Sequence, residues 1–468
     1  MRRARRALAA GGVLLLAACA SLAPEHQRPA APVAEHFPDT PGPDAQGASA
    51  AVAVAWQQFF SDARLKELVT LALQNNRDLR VAVLNIEQAR AQLQLRRADQ
   101  APTLNAGGGA SWLTNASGDI TDAYLAGLSV PQYELDFFGR VRNLSDAALA
   151  QVLSSEEARK TAQIALIAAV ANGYLALRAD AEQLALTAQT LATREASLKL
   201  TRLKFDNGIS SALAVAEAQS LVQGARVTHQ ILKRQRAQSE NALVLLVGKP
   251  VAIELPVDAT LSGLTIGPEL QAGLPSDLLV NRPDIRQAEQ QLRAANANIG
   301  AARAAFFPRI TLTGSAGLAS GDLLGLFKAG SLAWAFSPQI VLPIFDGGRN
   351  QASLDAATTQ REISVALYEK TVQTAFREVA DALAARATLG EQVRAQQAWV
   401  DAEAGRFRLA GMRYSSGVAS YLEVLDAQRL LFIAQLSAVQ AQQSRLQNQV
   451  TLYKVLGGGW TAAVASAD

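Results

Sequence analysis

Leu203-Lys-Phe-Asp-Asn-Gly-Ile-Ser-Ser-Ala-Leu-Ala-Val-Ala-Glu-Ala-Gln-Ser-Leu221 returns, 209 residues later, as Met412-Arg-Tyr-Ser-Ser-Gly-Val-Ala-Ser-Tyr-Leu-Glu-Val-Leu-Asp-Ala-Gln-Arg-Leu430. Gly208 falls on Gly417, Leu213 on Leu422, Val215 on Val424, and the Ala218-Gln219 pair on Ala427-Gln428. The basic, aromatic and acidic characters match too: Lys204 with Arg413, Phe205 with Tyr414, Glu217 with Asp426. A glycine among small residues can end one helix in the left-handed conformation and let the next start afresh. Each copy therefore reads as a tip at which a long helix reverses, and Ser420 with Glu423 three residues on adds a capping box to the second. Two tips mean two copies of one unit.

Working back from the tips, Ile167, Val170, Tyr174, Leu177, Ala181, Leu184, Ala188 and Leu191 step by three and four, as do Val365, Tyr368, Val372, Phe376, Val379 and Leu383. A sustained period near 3.5 is a coiled-coil seam. Proline is absent from 141–206 and 350–415, so each helix reaches roughly 95 Å at 1.5 Å per residue. Working forward, return helices over about 212–247 and 420–456 close at Gly248 and Gly457.

Upstream of each long helix the pattern changes to period two. Ile310, Leu312, Ala316 and Leu318 alternate with Thr311, Thr313 and Ser315, and Leu332, Trp334 and Phe336 follow a Gly-rich connection; Leu104 to Trp112 and Tyr124 to Val130 are their counterparts. Each copy thus holds one hairpin, about 103–133 and 309–343, with strands about ten residues long, the length a tilted transmembrane strand needs. A soluble hairpin packed on the helices is the competing reading. Before each hairpin comes a helix ended by Pro102 or Pro308. After each comes a punctuated junction beginning at Pro131 or Pro338. The expected divisions are 1–18 leader, 19–60 extended segment, 61–250 repeat 1, 251–275 proline-rich connector, 276–457 repeat 2 and 458–468 tail.

Met1 to Arg6 is basic and Ala7 to Ala18 a short apolar run, far below the roughly 20 residues a spanning helix requires, so it is a secretory signal peptide. Leu16-Ala17-Ala18-Cys19 resembles a bacterial lipobox, which implies cleavage before Cys19 and acylation of that cysteine; Ala20 at the next position suits the outer membrane. Ser21 to Ala55, rich in Pro, Ala and Gly, reads as an extended tether. Removing the leader's four arginines takes the formal charge from +3 to −1, so the basic balance gives no reason to invoke nucleic acid. One cysteine excludes an internal disulfide, and three scattered histidines (His26, His36, His229) exclude a histidine-based metal centre. No nucleophile, base and orienting partner can be assembled, so an enzyme is not expected and no cofactor is called for.

Four strands cannot close a barrel, and open edges cannot face lipid. Either the hairpins lie outside a membrane or several chains share one barrel, and three chains would supply twelve strands.

The leader and lipobox, the doubled order of helix, hairpin, long helix and return helix, the Phe138-Gly139-Arg140 and Phe345-Asp-Gly-Gly-Arg349 junctions, and Tyr421-Leu-Glu-Val-Leu-Asp-Ala-Gln-Arg429 together resemble the TolC/OprM-type outer membrane factor family, in its lipid-anchored NodT-like efflux branch. The likeness covers nearly all of 56–458. It implies a mainly α fold with transmembrane β: long coiled helices forming a periplasmic α-barrel, and four strands per chain in a twelve-stranded barrel shared by a homotrimer. It also implies a gated outer-membrane duct for drugs or other small toxic solutes, served by a periplasmic adaptor and an inner-membrane pump of the proton-driven RND type. Metal-ion efflux, type I protein secretion and a lipid-anchored, non-pore coiled-coil scaffold are the alternatives.

The family's constriction maps onto Leu422, Glu423 and Asp426, with Tyr414 and Arg429 as restraints on closure. Ala419 stands where TolC-like members carry a latch arginine. The competing readings are a helix cap for Glu423, a solvated face for Asp426 and an ordinary exposed charge for Arg429.

Overall fold

The two proline-free stretches form helices of 67 residues each in a computed structural model that describes residues 21–37, 49–51, 54–114, 117–255, 260–268, 270–271 and 275–460. Cys19 and the leader lie outside the described residues, as does the tail beyond Trp460. In chain order the main elements are α1 (Ala63–Asn75), α2 (Arg77–Ala98), β1 (Asn105–Thr114), β2 (Ile120–Leu135), α3 (Arg140–Asp206), α4 (Ala212–Val247), α5 (Pro275–Asn281), α6 (Pro283–Ala304), β3 (Arg309–Ser320), β4 (Leu332–Val341), α7 (Arg349–Ser415) and α8 (Tyr421–Val455). The doubling read from the tips is the doubling of the fold: two helices, a hairpin, a long helix and a return helix, twice.

The chain divides into two compact units, one built from Met1–Ala31, Val83–Glu157 and Asp284–Thr371, the other from Pro32–Ala82, Ala158–Pro283 and Val372–Asp468. In the first, the strands form one antiparallel sheet in the order β1-β2-β3-β4. Cross-strand partners share a face, so the register sorts the side chains. One face carries Trp112, Tyr124, Leu128, Leu318, Leu332, Trp334, Phe336 and Ile340. The opposite face carries Gly107, Ser111, Gly127, Thr313, Ser315, Ala333, Ser337 and Gln339, with Leu113, Leu125 and Val341 as larger apolar exceptions and the ion-paired Glu134 and Arg309 at one end. Among the described residues nothing covers the apolar face: Trp334 is 76% exposed and Leu332 76%. A soluble hairpin would bury such a face against helices, so this observation separates the two readings that alternation alone left open.

At the centre of the sheet Gly127 faces Gly317, and a Cβ on either would lie 2.6 Å from the other's Cα. Only paired glycines allow β2 and β3 to approach this closely. Two details depart from the sequence reading. Pro131 does not end its strand, because a register shift between Val130 and Tyr133 takes up the residue that cannot donate, and β2 runs on to Leu135. Pro338 likewise lies within β4, an edge strand of the chain's sheet. Below the sheet, Asp136 accepts from the Arg142 amide (2.7 Å), and Asp346 accepts from the amides of Gly348 and Asn350 (2.9 Å each), so an aspartate caps the start of each long helix.

The N-terminal stretch is extended but not loose. Ser21 donates to Asn143 (2.7 Å) and Arg28 to Glu289 (2.6 Å), which also takes Arg293 at 2.9 Å. Glu289 is 5% exposed; burial pushes its carboxyl up, and the bonds and charges of Arg28 and Arg293 more than offset this and hold it below the usual range.

The second unit holds the main apolar core. Ile167, Val170, Tyr174 and Leu177 of α3 are at most 2% exposed, as expected of a seam. Phe59 stacks on Tyr453 at 4.0 Å between centroids, and the Tyr453 hydroxyl donates to the Val54 carbonyl at 2.6 Å. Asp62 caps α1 through the Leu65 amide (2.9 Å), and its other oxygen accepts from Arg178 (2.9 Å). This unit also contains both tips.

Candidate functional site

Both tips close by the same device. Gly208 and Gly417 sit at φ +73° and +76°, in the left-handed region. Around them the Ile209 amide donates to the Lys204 carbonyl (2.8 Å) and the Val418 amide to the Arg413 carbonyl (2.9 Å). These six-to-one bonds satisfy the last carbonyls of α3 and α7. The entries of the two return helices differ. Ser211 caps α4 by accepting from the Ala214 amide at 3.2 Å.

The capping box expected at Ser420 and Glu423 is not formed: the Ser420 side chain makes no cap bond, and the Glu423 amide donates to the Ser420 backbone carbonyl instead. The Glu423 carboxylate turns outward, 48% exposed, and pairs at 3.9 Å with Arg413.

Of the residues picked from sequence, Leu422, Glu423 and Asp426 lie on the first turns of α8, and Leu422 is 55% exposed. Asp426 is not a bare carboxylate. Its Oδ1 accepts from Arg429 at 2.7 Å and its Oδ2 from Arg406 on α7 at 2.5 Å, and Arg406 also reaches Glu403 at 3.3 Å. The bonds from Arg429 and then Arg406 hold the Asp426 carboxyl below the usual carboxylate range. Arg429 is thus engaged in the cluster rather than being a free surface charge. Arg406, Arg413 and Arg429 stand against Glu403, Glu423 and Asp426, so the local charges balance.

Tyr414 belongs to a second cluster. The Lys204 ammonium donates to its hydroxyl at 2.9 Å and lies 4.8 Å from its ring centroid. The Tyr414 and Tyr421 rings are 5.1 Å apart, and the Tyr421 hydroxyl bonds Ser197 on α3. Lys204, Ser197, Tyr421 and Arg406 were given no role from sequence. Tyr421 stands in the quoted motif and Lys204 matches Arg413 between repeats, but their pairing across more than 200 residues has no sequence period. The residue types in both clusters are hydrogen-bonding and ionic, which makes them suited to holding helices together reversibly rather than to chemistry.

A family model described as outer membrane efflux protein matches 68–249 and 274–458, one stretch per repeat. The chain is 48% identical over 464 residues to the probable efflux pump outer membrane protein TtgC of Pseudomonas putida, spanning 97% of this chain and 95% of that one. It is 46% identical over 455 residues to outer membrane protein OprJ of Pseudomonas aeruginosa, spanning 96% and 94%. The crystal structure of the open state of the Neisseria gonorrhoeae MtrE outer membrane channel matches with a TM-score of 0.87 at 40% identity, over 94% of this chain and 99% of that one. Doubled sheet-and-helix architecture, uncovered apolar sheet face and these likenesses agree: the chain belongs to the outer membrane efflux protein family and is an outer membrane channel component of an efflux system.

Proposed function

We propose that three copies of this chain pool their strands into one twelve-stranded barrel and act as a passive, gated duct without enzymatic chemistry. The duct would receive cargo from an inner-membrane pump of the RND type through a periplasmic adaptor, and acyl chains on Cys19 would anchor each copy. The observation that carries this is the two-faced sheet. Its aromatic face needs lipid, its opposite face, built mid-strand mostly of small uncharged residues, suits a water-filled lumen, and among the described residues the outer edges of β1 and β4 are unpaired, which lipid does not tolerate.

The cargo is drugs or other small organic solutes. Relatives are named for toluene, solvent and antibiotic efflux. The mid-strand lumen-side residues Gly127, Thr313, Ser315 and Ser337 carry no charge, which favours such solutes over metal ions. Leu422, Glu423 and Asp426 form the constriction at the periplasmic tip. Tyr414 and Arg429 restrain it, together with Lys204, Arg406 and Tyr421.

Purified protein should run as a trimer that heating dissociates, and should give channel conductance in planar bilayers. A detergent-free, water-soluble monomer without conductance would overturn the reading.

A further inference from the structure

Where the sheet gives way to the long helices, the first unit holds a cavity of about 560 Å³. It is lined from three places in the chain: the β2–α3 junction, the turn between α6 and β3, and the β4–α7 junction. That volume lies in the range of small-molecule sites. Glu134, Arg309 and Val341 line it, and they end the sheet face opposite the aromatic one. The cavity therefore adjoins the side of the sheet turned away from lipid.

Its apolar wall is aromatic. Phe138 stacks on Phe307 at 4.7 Å between centroids and 19° between planes, yet Phe307 stays 40% exposed, so its ring offers surface to something flat. The polar wall is made of carboxylates already engaged and guanidiniums with donors to spare. Glu134 accepts from Arg140 on both oxygens, at 2.8 and 2.7 Å, and pairs with Arg309 at 2.7 Å. Asp136 and Asp346 are taken by backbone amides at the starts of α3 and α7. A guanidinium has five N–H donors, so Arg140 and Arg309 keep unused ones. Among the described residues the Arg349 guanidinium, which also lines the cavity, has no partner at all. No group of carboxylates, cysteines and histidines among the described residues suits a metal ion. What the cavity lacks is an acceptor, not a cation.

The duplication shows that these residues are not needed to make the turns. Counted from Pro102 against Pro308, Ala101 stands for Phe307 and Thr103 for Arg309; counted from Pro131 against Pro338, Val341 stands for Glu134. The same passage from helix to strand and from strand to helix is thus made elsewhere in the chain without the ring or the charges. We propose that this cavity binds an organic anion built on a flat apolar ring, an aromatic carboxylate or sulfonate. Its ring lies on Phe307, and its anionic oxygens accept from Arg349 and from the unused N–H groups of Arg140 and Arg309. The site is made by one chain and stands whether or not the chain is a duct; the duct reading adds that solutes in transit meet it.

Calorimetry tests this by titrating naphthalenesulfonate into the full-length protein in detergent, with the same detergent alone as reference and heat-dissociated migration confirming assembly of each variant. Saturable binding at one site per chain is expected. Arg349→Gln should weaken it about tenfold, the value of one charge-assisted hydrogen bond. Phe307→Leu, which keeps apolar volume but removes the ring, should weaken it as well. Acetate, an anion without a ring, and naphthylmethylammonium, a ring with the opposite charge, should show no saturable binding. Absence of saturable binding to the parent, unchanged affinity in Arg349→Gln, or equal binding of the ammonium would overturn the site. Conductance of the parent decides the duct reading separately: a conducting trimer that takes up no naphthalenesulfonate loses the site and keeps the duct, and a binding protein that never conducts keeps the site and loses the duct.

Discussion

Asp426 receives two guanidiniums from its own chain, one from the next turn of α8 and one from α7. The family resemblance mapped the constriction onto this residue, with a solvated helix face as the competing reading; the paired cations change what that acid does. It becomes a cross-brace between α7 and α8, and cutting it should loosen the tip rather than relieve repulsion. Replacing Glu423 and Asp426 together by Ala should raise the resting conductance of purified trimers, read in planar bilayers. The pH response follows from the sign of the shift. Asp426 titrates below its ordinary value, so its closing contribution is fully present above about pH 4 and is lost only as pH falls through the lowered value. Conductance recorded from pH 7 down to pH 5 should therefore stay at its resting level, and a rise already at pH 5 would remove Asp426 from the brace.

At the scale of elements, the tips and the sheet each depend on glycine for a different physical reason. Gly208 and Gly417 have open space around a hypothetical Cβ, so only the left-handed backbone demands glycine there. Alanine at either should cost about 1 kcal/mol, measurable by thermal unfolding, with the trimer retained. Gly127 and Gly317 are the opposite case, sterically closed by the neighbouring strand. Gly317→Ala should push β3 from β2 and reduce the heat-stable trimer, and normal trimer yield would show that the sheet tolerates the side chain. The seam of α3 was legible through Leu177 because apolar residues recur at coiled-coil spacing. It was misleading at Ala188, which is exposed, although Leu191 in the same series packs against the Leu198, Ala218 and Val222 cluster. The capping box at Ser420 did not form: the motif is local, and in the fold the Glu423 carboxylate faces Arg413 across the turn.

At the scale of the whole molecule, the described residues of one chain leave an uncovered aromatic face and two unpaired strand edges, which is the state of a part and not of a finished barrel. Cys19→Ala should leave helices and strands folded while removing the acyl chains; mass spectrometry of the mature N-terminus checks the modification and circular dichroism the fold. The sequence by itself determined the doubling, the long helices, the hairpins and the glycine tips, because each depends on residues near one another in the chain or on a repeating spacing. The tertiary structure decided which sheet face carries the aromatic and large apolar side chains, since that needs the register between strands about 175 to 196 residues apart. It also decided that Asp426 meets Arg406 and that Lys204 meets Tyr414. Those meetings are set by the rotation of packed helices about their axes, a quantity that no local pattern encodes.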